Sequence, residues 1–308
     1  MSRSNSSQGR RRWRALAWIV PVLVILLAVS VLGVRLLLAT EPLQHFLASY
    51  PGTSALPAAA PVGFPGWLAW QHGLNVLFLL MIVRTGWQLR TVQRPAANWT
   101  RRNTGLIRTK NPPKTIPLHL WLHLSFDTIW VLNGLIFYVL LFATGQWARI
   151  VPTSWDVFPN ALSAALQYVS LNWPLDDGWT AYNALQLLTY FVTVFIAAPL
   201  AIITGIRMSP AWPVRATQVN RVYPIGLARA VHFPVMLYFV FFVIVHVTLV
   251  LSTGALRNLN HMYALRDDQS WIGFIVFAVS LVLMAAIWVA ARPTVLRPIA
   301  ALTGKISR

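Results

Sequence analysis

The chain has no cysteine and only seven acidic residues among 308. Without thiolates it builds no disulfide, no thiolate zinc site and no iron–sulfur cluster, so any redox or metal centre rests on histidine or another non-thiolate ligand. Charged residues of both signs make up only 10 % of the sequence, against 57 % hydrophobic, a balance too apolar for a soluble domain. The charge present is one-sided: Lys and Arg number 25, for a formal net charge of +18. In a soluble protein that excess would suit nucleic acid. Here the basic residues fall between apolar runs, where membrane orientation accounts for them and no nucleic-acid partner is expected.

Several apolar runs reach the ~20 residues that a bilayer span requires. They predict an all-α integral membrane protein with six transmembrane helices. After a tail over residues 1–14, the run 15–39 exceeds the ~7–15 apolar residues of a signal peptide and reads as an uncleaved N-terminal anchor. An outer loop, 40–65, leads to a four-helix core, 66–254, whose helices two to five are expected over 66–87, 118–145, 179–207 and 229–254. A sixth helix, 271–291, and a basic tail complete 255–308. Between helices three and four, 160–171 places Leu162, Leu166 and Val169 on one side, which suits a short helix lying on the membrane surface. Tryptophans at 67, 70, 147, 155, 173, 179 and 271 crowd one boundary as an interfacial belt.

Almost all the Lys and Arg fall in the two termini and in the loops after helices two and four. Only Arg35, Arg149, Arg257 and Arg266 are left to the other side. The positive-inside rule therefore places both termini in the cytoplasm. Glu41, Asp156, Asp176, Asp177, Asp267 and Asp268 all fall in the outer loops, and Asp127 alone lies within a helix.

The most informative stretch is 229–254, RAVHFPVMLYFVFFVIVHVTLVLSTG. His232 and His246 are separated by fourteen positions, about 21 Å along a helix and within about 40° of the same face. Ionisable side chains at membrane depth are costly and face the bundle interior, so two on one face need two things to hold. A haem in each leaflet meets that need. Four helices carry a Thr-Gly dipeptide, Thr85-Gly86, Thr144-Gly145, Thr204-Gly205 and Thr253-Gly254, read as helix ends and used as depth marks. On that scale His72 is level with His246 in the outer half. In the inner half, His123 and His232 each stand twenty-two residues before their terminal glycine. The expected axial ligands are thus His72 with His246 for an outer b-type haem and His123 with His232 for an inner one, held non-covalently through neutral imidazoles. Arg84, Arg149, Arg207 and Arg257, near the dipeptides, are candidate propionate contacts; snorkelling or lipid phosphate contact is the competing reading.

At WQHGLN, LWLHLS and the two-histidine helix the sequence resembles the di-haem b-type cytochrome subunits of bacterial respiratory complexes, including those of nickel–iron hydrogenase, formate dehydrogenase and thiosulfate reductase. The resemblance covers about 66–254. It implies a place in the bacterial inner membrane, exchange of electrons with a quinone, and a partner redox subunit of the molybdenum, nickel–iron or iron–sulfur kind. The N-terminal anchor departs from that pattern and turns the core over. For a quinone or proton site the residues offer Asp127, one turn beyond His123, and Asn183, Gln186 and Tyr190, spaced along one face of helix four. Asp127 orienting a ring, and the other three joining helices, are the plainer readings. Two other classes compete for the function. His119 and His123 have the spacing of a di-iron oxygenase or desaturase, though without its further histidine boxes, and a transporter would carry intramembrane histidines but shows no inverted repeat.

Overall fold

The computed structural model describes residues 4–104, 108–110, 112–174, 177–213 and 215–307, the side chains of 4–16 excepted. Asp176, assigned above to an outer loop, lies outside them. In order come helices α1 (Ser4–Leu38), α2 (Glu41–Ser49) and α3 (Gly66–Thr91), strands β1 (Asn98–Arg101) and β2 (Thr115–Pro117), then α4 (Leu118–Ala143) and α5 (Val157–Val169). Helix α6 (Ala184–Phe191) runs through a π-helical turn, Val192–Ala197, into α7 (Ala198–Met208). Then follow α8 (Thr217–Val222), α9 (Ile225–Ser252), α10 (Ala255–Leu259), a second π-helical turn, Asn260–Ala264, α11 (Ile272–Ala290), α12 (Pro293–Ala301) and strand β3 (Gly304–Ser307).

The chain is an all-α, multi-pass membrane protein. Six helices are long and apolar enough to cross a bilayer: Ala17–Leu38, Gly66–Thr91, Leu118–Ala143, Ala184–Met208, Ile225–Ser252 and Ile272–Ala290. Leu132, Ile136 and Val139 on α4 are more than half exposed. In water such a surface would be a liability; in lipid it is the solvent-matched face.

Contacts divide the chain into two units, one holding 1–58, 149–177 and 181–189, the other 59–148, 178–180 and 190–308. In the first, Arg35 of α1 donates from Nε to the Ser170 carbonyl at the end of α5, 2.8 Å away, satisfying one of the carbonyls a helix end leaves open. Helix α5 buries small and polar residues, Asn160, Ala161, Ser163 and Ala164, and turns Phe158, Leu162 and Val169 outward. That is the pattern of a helix whose apolar face meets lipid.

In the second unit α3 packs on α4 and α7 on α9. Leu79 of α3, Trp130 of α4, Ala197 and Ala198 beside α7, and Val235 and Phe239 of α9 meet in one apolar cluster, so four helices converge. The π-helical turn has a local cause. Pro199 has no N–H to close the preceding turn, and the Val194 carbonyl accepts instead from the Tyr138 hydroxyl at 2.6 Å.

Helix limits correct the sequence reading at two of the four Thr-Gly pairs. Gly145 and Gly254 do follow helices, with φ of 74° and 129°. Gly86 and Gly205 do not: α3 continues to Thr91 and α7 to Met208. The four glycines are therefore not equivalent depth marks. The loop 88–117 and the C-terminal tail also hold structure that the sequence reading left out. Strand β1 lies between β2 and β3 in an antiparallel sheet, with Trp99 opposite Ile116 on one side and Ile306 on the other. Ala97, Leu118 and Ala300 form its small core.

Candidate functional site

All four singled-out membrane histidines lie in the second unit, on α3, α4 and α9. The His72 and His246 rings face each other with centroids 6.2 Å apart. Two imidazoles on opposite sides of one metal atom, each at the usual ~2.0–2.1 Å from nitrogen to metal, have centroids roughly 6 Å apart. Aromatic rings frame the pair: Tyr263 lies edge-on to His72 at 5.8 Å, Tyr190 edge-on to His246 at 6.2 Å, and Phe242 stacks on His246 at 5.5 Å. His72 Nδ1 is buried with no hydrogen-bond partner, an unspent nitrogen that a ligand or metal would satisfy.

His123 on α4 and His232 on α9 are each held by the Thr of a Thr-Gly pair. Thr85 Oγ1 lies 2.8 Å from His123 Nδ1, and Thr204 Oγ1 lies 2.8 Å from His232 Nδ1. A hydroxyl has one hydrogen to give. Thr85 gives it to the Met81 carbonyl at 2.7 Å and Thr204 to the Leu200 carbonyl at 2.5 Å. Both therefore accept from Nδ1–H, which leaves Nε2 of each ring with its lone pair outward, the state a metal ligand needs. Each glycine lies beside a ring, at ordinary contact distance for a Cβ. A Cβ on Gly86 would stand 3.4 Å from His123 Cε1, and one on Gly205 would stand 3.6 Å from His232 Cε1. The sequence reading missed these threonines because it took the dipeptides as caps.

His119 occupies the first turn of α4, after the N-cap Pro117, and is half-buried. Among the described residues no third histidine or carboxylate joins His119 and His123 at metal-binding distance. Asp127 Oδ2 lies 3.6 Å from His123 Nε2, beyond hydrogen-bond reach but on the same side of the helix.

The polar stripe expected on helix four is not one, because the helix begins at Ala184 rather than 179. Asn183 precedes it: Asn183 Oδ1 accepts from the Gln186 N–H at 2.9 Å and Gln186 Oε1 accepts from the Asn183 N–H at 3.1 Å. This is a capping box, legible as Asn-x-x-Gln, and it commits both side chains to the helix start. Asn183 also donates to the Tyr168 hydroxyl at 2.8 Å. Tyr190 remains, against His246.

The four arginines have separate partners. Arg84 donates to the Trp288 and Ala291 carbonyls at 2.5 and 2.8 Å, closing the end of α11. Arg149, in the first unit, is buried over the Tyr182 ring at 5.0 Å; burial pushes that phenol up to about 12. Arg207 donates from Nε to the Tyr223 carbonyl at 2.7 Å. Arg257 makes a two-point pair with Asp267, at 2.6 and 3.0 Å.

That last pair belongs to a network that sequence reasoning did not name. His261, buried in the second π-helical turn, shares Asp267 Oδ1 through Nε2 at 2.7 Å. Arg257, then His261, hold the Asp267 carboxyl below the usual range, and the Ser270 N–H does the same for Asp268. A depressed carboxylate contributes stability that is present above its unfolded value of ~3.9 and is lost as pH falls through the folded one. Thermal unfolding of the purified protein should therefore be flat from about pH 7 to 5 and decline below about pH 4. Asp267→Asn should melt lower at neutral pH and show a shallower acid limb. An acid limb of unchanged steepness would remove Asp267 from the account.

Compared with known protein families, characterised proteins and solved structures, the chain shows no match.

Proposed function

We propose that this chain is a di-haem cytochrome b that passes electrons across the membrane between a quinone and a partner redox subunit. The observation that supports it most is the facing of His72 and His246, with ring centroids 6.2 Å apart, beside His123 and His232, whose Nδ1 atoms are held by Thr85 and Thr204. The residues fit the group: a buried, unpartnered ring nitrogen on His72, and two imidazoles whose Nδ1 is held by a threonine so that Nε2 is available. When bound, haem would supply one-electron chemistry, which suits electron passage between a quinone and a redox partner. His72 and His246 would hold one haem, and His123 and His232 the other.

The chain's own residues then have distinct tasks. Thr85 and Thr204 orient their imidazoles and raise their basicity as ligands. Phe242 and Tyr190 wall the His246 side and exclude water. Asp127, beside His123 and in no ion pair with an arginine among the described residues, is the group placed to hold or move a proton when quinone is reduced or quinol oxidised near the inner pair. Lipid surrounds the six spans. The partner is a soluble or membrane redox subunit of the molybdenum, nickel–iron or iron–sulfur kind, and the setting is a bacterial inner membrane.

A reduced-minus-oxidised spectrum of the purified protein treated with a short-chain quinol tests the reading. Bands of b type that appear with quinol are expected; their absence would favour a di-iron or transport function. Orientation is tested separately. With no native cysteine, Asn103→Cys and Ser154→Cys each report one side; Ala161, buried on α5, would not be reached from either. Asn103 lies in the basic loop, so an impermeant thiol reagent on intact cells should spare it and label residue 154, and the reverse would invert the topology.

A further inference from the structure

In the second unit a cavity of about 260 Å³ opens between the end of α7, the start of α9 and strand β2, lined among others by Lys114, Thr115, Arg207, Ser209, Trp212 and Ile225. Arg207 is the unusual member. It is 8 % exposed, its guanidinium lies over the Trp212 ring at 4.9 Å, and its Nε–H is spent on the Tyr223 carbonyl. Among the described residues no acceptor meets its two Nη groups and no carboxylate pairs with Arg207 or Lys114. A guanidinium on a largely buried side chain, with four N–H groups not spent on the protein, is a ready donor set for an anion entering the cavity. No acidic residue is near in sequence: Arg207 lies between Asp177 and Asp267, and Lys114 between Glu41 and Asp127.

We infer that this cavity binds the phosphate of an anionic phospholipid, with Arg207 giving a two-point contact and Lys114 a second charge. Three observations select a lipid. The cavity is smaller than the ~300–1,000 Å³ that encloses a drug-sized ligand, so it takes a headgroup and leaves the rest outside. Ile203 and Ile206, just before Arg207, are more than half exposed and offer an apolar wall for acyl chains. The cavity also opens on the face of the basic loops, where anionic headgroups gather and where clefts between spans recognise them. An Arg fork matches a phosphate bidentately, which a lysine alone does not.

The test uses the full-length protein in detergent, titrated separately with phosphatidylglycerol, phosphatidylcholine and inorganic phosphate, reading thermal unfolding and lipid retained in native mass spectrometry. Phosphatidylglycerol should raise the melting temperature and stay bound, with the other two having little effect. Arg207→Gln should weaken that response at least about tenfold. Lys114→Gln, at an exposed position and not expected to disturb folding, should weaken it less. Equal responses in wild type and both variants would overturn the proposal, as would an equal response to inorganic phosphate alone. Loss of haem from Arg207→Gln with the lipid response intact would assign the guanidinium to a propionate and overturn it too. The readout needs no haem, so a chain without haem could still pass this test.

Discussion

His123→Ala should lower the haem content from about two to about one per chain, while His119→Ala keeps both. The two residues are one turn apart on one face of α4, so spacing alone does not separate them. Their surroundings do. His123 is buried at 8 % exposure and its Nδ1 is bonded to Thr85, with Gly86 against Cε1. His119 sits in the first turn with no hydrogen bond among the described residues, and four residues displace it about 6 Å along the axis. Removing His123 deletes the imidazole proposed to hold that haem and leaves Thr85 without its partner. Haem extraction with retained helical circular dichroism is the measurement. Loss of haem from His119→Ala, with His123→Ala unaffected, would reverse the assignment.

The second large effect is at the other pair. His246→Ala and His72→Ala should each remove the same haem, leaving one b-type centre with a single midpoint potential in a redox titration. The facing rings, 6.2 Å apart, make the two variants equivalent. If either variant instead lost the centre that His123→Ala loses, the pairing would be crossed. Loss of both centres from a chain that is still helical would mean one shared site.

The spans were legible because lipid imposes a long unbroken apolar run on each one, and nothing subtler is needed to find 225–252 or 272–290. The sheet was not. Asn98–Arg101 and Gly304–Ser307 are four residues each and lie about two hundred positions apart, so no local period announces their pairing. The histidines were legible as isolated polar residues in apolar runs, whereas their partners were not. Thr-Gly ends a helix at 144–145 and 253–254 but supports a neighbouring imidazole at 85–86 and 204–205. The dipeptide is the same in each case; the adjoining helix decides its use. Asn183 and Gln186 carried a readable capping signature, Asn-x-x-Gln, that the search for a polar stripe passed over. His261 and Asp267 lie in a loop where only tertiary contact reveals the pair.

Haem stoichiometry tests the central claim most directly. The protein should be expressed with adequate haem supply, purified in mild detergent, and assayed by pyridine haemochrome against quantitative amino-acid analysis. About two b-type haems per chain, titrating at two potentials, is the result this account predicts. A chain that is folded and helical yet carries no haem would contradict it.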